Sequence, residues 1–341
     1  MTRRAHGTSH VARDTSHVAR GTWHVARRTS HVAMEGVLVI DKPAGPTSHD
    51  VVARVRRAIG VSRIGHTGTL DPLASGVLPL VVGRATRLAR FLSASDKEYI
   101  AEVRLGATSE TYDAEGPLTP ASPRPSETPL DAGALEEVLS HFRGTYAQMP
   151  PPYSAKKVGG ARAYELARRN QPIELMPVPV TVHALETLAI EADLLRLRVA
   201  CSTGFYVRTL AHEIGARLGV GAYLAGLRRT RVGAFTLDGA IPLDDVQRGG
   251  LEAASGHVTT LDRLLPDVPA VVLSEAGVRR VCHGNLVTLE HLAEGFATAP
   301  NEASRGAGEA ANVRLLDASG TLLGIAEWQA AGLLHPTIVL V

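Results

Sequence analysis

The chain of 341 residues is long enough for roughly two domains, and 45% hydrophobic residues supply a sizeable core. Its 36 Lys and Arg nearly balance 34 Asp and Glu, so bulk charge does not announce a nucleic-acid binder, and basic residues must be judged by where they cluster. No run approaches the ~20 apolar residues of a membrane span. The N-terminus lacks the apolar core of a secretory signal, and two isolated cysteines, Cys201 and Cys282, suit neither a disulfide scaffold nor a zinc site. A reducing cytoplasm is the expected location.

Residues 1–33 repeat with a period of seven: Thr8-Ser9-His10-Val11-Ala12-Arg13-Asp14 recurs from Thr15, Thr22 and Thr29. The repeated apolar positions are an adjacent Val-Ala pair without a/d spacing, which excludes a coiled coil. The expectation is a disordered tail, or sequence upstream of a true start at Met34. Gly36–Ile40 reads as a strand. Thr47 or Ser48 then caps a helix whose Val51, Val52, Val55 and Ile59 share one face. Arg54, Arg56 and Arg57 lie on its other positions, with Arg63 beyond, as candidate phosphate contacts.

Between Gly65 and Leu80, three glycines, two prolines and one carboxylate, Asp71, occupy sixteen residues. Gly and Pro exclude a helix interior, so this is a shaped loop running into a strand at 76–82. By itself the loop is also compatible with a structural Asx turn around Asp71. Residues 85–92 read as a short helix bearing Arg87 and Arg90, and 98–105 as a strand. The polar stretch 106–130 reads as a loop, 135–142 as a helix, and 144–155, with its prolines, as irregular. A basic arm follows at about 150–172, in which Tyr153 and Tyr164 interleave with Lys156, Lys157, Arg162, Arg168 and Arg169, the mix of cation and ring that suits nucleic acid. Its 161–169 part can form a helix. Residues 178–188 and 194–200 are β-rich, 207–218 helical, and 227–231 a basic knot. From Asp267 onward, eight acidic residues face four basic ones, and short strands at 313–316, 322–328 and 337–341 flank a loop insertion at 294–311.

Gly65-His66-Thr67-Gly68-Thr69-Leu70-Asp71-Pro72-Leu73-Ala74-Ser75-Gly76 resembles the catalytic loop of the TruB family, the bacterial tRNA pseudouridine synthases that convert the uridine at position 55 of the T loop. Four further motifs occur in the family's order: Val39-Ile40-Asp41-Lys42-Pro43-Ala44-Gly45-Pro46-Thr47-Ser48, Asp96-Lys97-Glu98-Tyr99, Pro151-Pro152-Tyr153-Ser154-Ala155-Lys156, and Ser202-Thr203-Gly204-Phe205-Tyr206-Val207-Arg208-Thr209. The resemblance implies an α+β catalytic domain over residues 34–266, with a mixed, mostly antiparallel sheet and a central cleft. A small C-terminal β-barrel resembling the PUA domain would cover 267–341.

By that resemblance, Asp71 is the catalytic carboxylate and Arg208 the arginine that pairs with it. Tyr99 stacks on the target base and is placed to assist the final deprotonation at C5; a phenol with a pKa near ~10 is a poor base unless perturbed, which favours stacking. His66 occupies space in the T loop beside the everted base, Leu227 is an apolar pocket wall, and Lys42 with Pro43 buttresses the loop. Tyr206 and Lys156 are further substrate or RNA contacts. The base stays bound throughout, so no cofactor and no metal is implied. The partner is the T arm of tRNA, bound by a monomer without an obligate protein partner. Asp71 can act as nucleophile or take a proton from the sugar; the residues do not choose.

Other chemistries fit poorly. His212-Glu213 lacks the second histidine of a zincin, Ser75 lacks the preceding glycine of a nucleophile elbow, and Gly219–Gly226 departs from the dinucleotide fingerprint. A glycoside hydrolase normally flanks its bond with two carboxylates, and the loop supplies one. A non-catalytic RNA-binding module on the same surface is the rival from another class.

Overall fold

The computed structural model describes residues 34–121, 131–153, 157–158, 161–162, 175–293, 312–329 and 332–341. The 1–33 repeat, Lys156, most of the basic arm and the 294–311 insertion lie outside the described residues.

An 11-stranded mixed sheet forms the spine. Along it run Ile241–Pro242, Gly36–Lys42, Ala74–Val82, Ala222–Val232, Lys97–Leu105, Leu194–Cys201, Val178–Glu191 and Gly144–Gln148. Neighbours are antiparallel except at two places. One of these is central: Ala74–Val82 runs parallel to Ala222–Val232, with Leu227 opposite Ala74 and Arg229 opposite Gly76. The loop carrying Asp71 enters the sheet at this junction.

Period-two alternation divides the strands between two cores. Leu38, Ile40, Leu78 and Leu80 face one side with Tyr99, Ala101 and Val103, under the helices Ser48–Ile59, Val207–Arg217 and Leu243–Ser255. Val37, Val39, Val77 and Val81 face the other side and pack with Leu322, Ile325 and Leu340 from the C-terminal region. That region builds a four-stranded sheet among its described residues, ordered Ala270–Val272, Asn312–Leu316, Leu322–Gln329, Leu333–Val339. Arginines of the Gly83–Ser93 segment tie the two parts together: Arg84 donates to the Leu340 carbonyl, Arg87 to that of Val339, and Arg90 to Thr337 Oγ1.

The Ser48–Ile59 helix starts where the sequence predicts. Thr47 and Asp50 form a reciprocal capping box, and Gly60 closes the helix with φ 70°. Arg56 bends back to the carbonyls of Ser62 and Ile64, whereas Arg54 and Arg57 stay exposed. Two expectations are corrected. Gly144–Gln148 is a regular edge strand, ending just before the proline run, and residues 107–109 pair with 118–120 inside the stretch read as loop. Ala222–Val232 is a long strand despite the charge of its second half, because Arg228 and Arg229 both find polar partners.

Candidate active site

The loop before Ala74 is held by its own backbone carbonyls, nearly all of which have a donor. Arg229 reaches the oxygens of Gly68 and Thr69 at 3.2 and 3.4 Å. The Ser48 hydroxyl donates to the Leu70 carbonyl at 2.9 Å and accepts from the Leu70 N–H at 2.8 Å. Gly45 N–H donates to Pro72 O at 2.8 Å, and Ala74 N–H closes a turn onto Asp71 O at 3.0 Å. Lys42 Nζ donates to Ala74 O at 2.5 Å, Pro43 O at 3.0 Å and Pro72 O at 3.4 Å. The Lys42 ammonium is fully buried, and burial lowers its pKa to about 8, with Asp71 and Glu115 opposing that fall. Lys42 thus stands beneath the loop, whereas Pro43, which lends it a carbonyl, is itself exposed.

Asp71 projects from this braced turn into a cleft of about 370 Å³. Tyr99, Leu227, Arg208, Tyr206, Phe205 and Lys97 share the lining. Arg208 Nε lies 3.0 Å from Asp71 Oδ2, with the arginine side chain 10% exposed and the aspartate 36%. The guanidinium is held from behind as well. Its Nη1 meets Asp113 Oδ2 at 3.4 Å and Thr111 O at 3.3 Å, and Nη2 donates to Tyr153 O at 3.0 Å. An arginine saturated in this way has a fixed direction. Its helix, Val207–Arg217, is set in turn by the buried Gln148, which exchanges two hydrogen bonds with the Tyr206 backbone, and by Thr209 Oγ1 donating to Met149 O.

Tyr99 is 9% exposed, and burial raises its phenol pKa while the nearby Arg229 charge opposes the rise. A protonated phenol over an apolar wall suits stacking better than proton abstraction. Burial also lowers the Lys97 pKa; its Nζ donates to Ser93 O at 2.8 Å and Thr203 Oγ1 at 3.0 Å.

The structure therefore brings Asp71, Arg208, Tyr99, Leu227 and Tyr206 to one cleft. His66 is not part of its lining: it sits edge-on to His49 at 5.4 Å between ring centroids, and burial lowers its pKa. Sequence reasoning missed Asp113, Gln148 and Arg229. Arg229 had a signal, since it lies two residues from Leu227 and shares its face of a strand. Asp113 had none to separate it from Glu110 and Glu115 in a polar stretch. Among the described residues, no three His, Cys, Asp or Glu side chains gather where they could hold a metal ion.

Three family descriptions match in succession: TruB family pseudouridylate synthase (N terminal domain) over residues 56–207, tRNA pseudouridylate synthase B C-terminal domain over 208–272, and Pseudouridine synthase II TruB, C-terminal, over 269–340. The tRNA pseudouridine synthase B of Solibacter usitatus is 44% identical over 308 residues, spanning 90% of this chain and 100% of the relative. That of Cupriavidus metallidurans is 40% identical over 302 residues, spanning 88% and 92%. Among solved structures, a Cbf5-Nop10-Gar1 complex aligns with TM-score 0.67 and 25% identity over 90% of this chain and 85% of that one. With the ordered motifs and the Asp71–Arg208 cleft, these likenesses establish that the chain belongs to the TruB family of tRNA pseudouridine synthases, enzymes that isomerise uridine to pseudouridine in tRNA.

Proposed function

We propose that the chain converts the uridine at position 55 of the tRNA T loop, with Asp71 as the group that opens the glycosidic bond. The observation that carries this reading is the 3.0 Å contact between Arg208 Nε and Asp71 Oδ2 at the floor of an open cleft. A uridine stacked in an RNA arm cannot reach that carboxylate, so it must be everted; eversion costs a few kcal/mol, less for a nucleotide already in a loop. Tyr99 and Leu227 would receive the ring between an aromatic face and an aliphatic wall.

The chemistry then balances within the substrate. Asp71 attacks C1′ or takes a proton from C2′, and the C1′–N1 bond breaks with its electron pair retained by uracil. The ring turns in the cleft and C5 bonds to C1′, breaking the Asp71–C1′ bond on the first route or with the Asp71 proton returned to C2′ on the second; the C5 proton is then lost, and N1 ends protonated. Either route needs an anionic carboxylate that is oriented and not fully desolvated. Arg208 supplies the orientation and the countercharge, and the half-exposed edge of Asp71 stays open to the ribose.

A tRNA substrate supports a cytoplasmic setting. Among the described residues no helix is long and apolar enough to cross a membrane. The test is to incubate the purified chain with unmodified tRNA transcript, map pseudouridine by nucleotide, and follow tritium release from C5-labelled uridine. Product at position 55, and an Asp71→Asn variant that binds the transcript without turning it over, are expected. Product confined to another position, or turnover by Asp71→Asn, overturns the reading.

A further inference from the structure

Behind Arg208, the tripeptide Thr111-Tyr112-Asp113 contributes two of its partners: the Thr111 carbonyl and the Asp113 carboxylate both face Nη1. The residue between them, Tyr112, has φ 65°, a left-handed backbone that a tyrosine adopts only under constraint. That turn aims a carbonyl and a carboxylate from alternate residues at one guanidinium. The backbone is stitched down on both sides: Tyr112 N–H donates to Ser109 O at 3.1 Å, Leu224 N–H to Tyr112 O at 3.0 Å, and Ala114 N–H to Leu224 O at 2.9 Å.

The Tyr112 ring lies flat on His212, with centroids 3.9 Å apart and planes 9° from parallel. His212 is four residues after Arg208, one turn along the Val207–Arg217 helix. Its buried Nδ1 has no hydrogen-bond partner among the described residues, so the face-to-face contact with Tyr112 is the contact seen to hold the ring. The helix that presents Arg208 therefore also grips the loop that presents Asp113.

We propose that the Tyr112–His212 stack is a clamp that fixes the Thr111–Asp113 turn against Arg208 and so sets the direction of the Asp71–Arg208 pair. Tyr112 and His212 are positioning residues; neither lines the cleft. The proposal rests on that pair being the reaction centre, and Asp71→Asn is measured alongside to separate the two claims.

The experiment compares Tyr112→Phe, Tyr112→Ala, Tyr112→Gly, His212→Ala and the double variant Tyr112→Ala/His212→Ala for kcat, KM on tRNA transcript, and melting temperature. Tyr112→Phe keeps the ring and should restore kcat to within about 2-fold of wild type. Tyr112→Ala and His212→Ala should each lower kcat on the order of 10-fold to 100-fold with KM little changed, as expected for a misaimed group. The double variant should lose no more than either single change, because both act through one contact. Tyr112→Gly removes the ring but suits the left-handed backbone; it should melt above Tyr112→Ala yet share its kcat loss, separating aim from stability. Wild-type kcat in Tyr112→Ala or His212→Ala, losses that follow melting temperature across the set, additive losses in the double variant, or a rise in KM at constant kcat would each overturn the clamp. If Asp71→Asn itself turns over, the reading of the centre fails; if only that variant is dead, the clamp alone fails.

Discussion

Arg208 contacts Asp71 through Nε at 3.0 Å, so the Asp71 carboxylate takes the inner edge of the guanidinium while one outer nitrogen is spent on Asp113 at 3.4 Å. Asp113 has a side chain only 3% exposed and is also braced by Thr111 Oγ1 and the Glu115 N–H. One cation between two carboxylates divides the work: Asp113 fixes the arginine, and Asp71 remains open to the cleft. Asp113→Asn should therefore lower kcat on the order of 10-fold to 100-fold with little change in KM. It should cost about 1–3 kcal/mol of stability, because Arg208 keeps one anionic partner. Steady-state kinetics and urea unfolding check this; wild-type kcat in the variant would show that Asp71 alone suffices to orient the arginine.

Arg229 is the most deeply buried cation lining the cleft, 2% exposed, with Nε donating to Val77 O at 2.8 Å and its other nitrogens directed at Gly68 and Thr69. A lysine has one head and cannot reproduce the fork that spans these three oxygens. Arg229→Lys and Arg229→Met should both lose at least ~2 kcal/mol and reduce kcat together, with lysine a poor rescue. Near-wild-type activity in the lysine variant would mean that charge, not the fork, is what the loop requires.

By residue type alone Leu227 reads as core and Asp71 as a turn residue; Asp71, Tyr99, Leu227 and Arg208, which line one cleft, were legible through the family resemblance. Their supports were not, because they act across long sequence gaps. Gln148 reaches the Tyr206 backbone and Arg229 the Gly68 carbonyl through pairings set by sheet order, which no local pattern reports. The Gly144–Gln148 strand was hidden by the prolines that follow it, and Ala222–Val232 by glycines and charge. The helix start at Thr47 read well because its capping box is a local arrangement within four residues, whereas the helices Leu243–Ser255 and Glu275–Cys282 went unread.

Lys42 gives a pH signature. Its ordinary pKa of 10.5 falls to about 8 in the folded chain. Between those values the unfolded chain binds a proton that the folded one does not, so this group makes folding stability rise with pH across that window. The penalty is fully present at neutral pH and is relieved above pH 8. Lys42→Met lacks the proton, so wild type should gain up to ~1.4 kcal/mol per pH unit relative to the variant between those limits. Urea unfolding of both proteins at several pH values measures the difference; parallel pH profiles would place the ammonium in a better-solvated site than the carbonyls of Pro43, Pro72 and Ala74 provide.

Gly76 lies where the loop becomes strand, and the neighbouring chain leaves it no room for a side chain. Its φ is 100°, and a Cβ there would meet Arg229 O at 2.2 Å and the Arg229 N and C at 3.0 Å. These are backbone atoms of the paired strand, so no rotamer change relieves the clash. Gly76→Ala must part the Ala74–Val82 and Ala222–Val232 strands at the register that sets Leu227 and Arg229 beside Asp71. Gly60 is the control: its φ is 70° with nothing within 4 Å of a Cβ, so Gly60→Ala carries backbone strain alone. The control should cost about 1–2 kcal/mol and leave kcat unchanged. Gly76→Ala should cost roughly 2–4 kcal/mol and reduce kcat even well below its melting temperature. If the two variants unfold alike and both stay active, the parallel junction tolerates separation and does not set the geometry of the cleft.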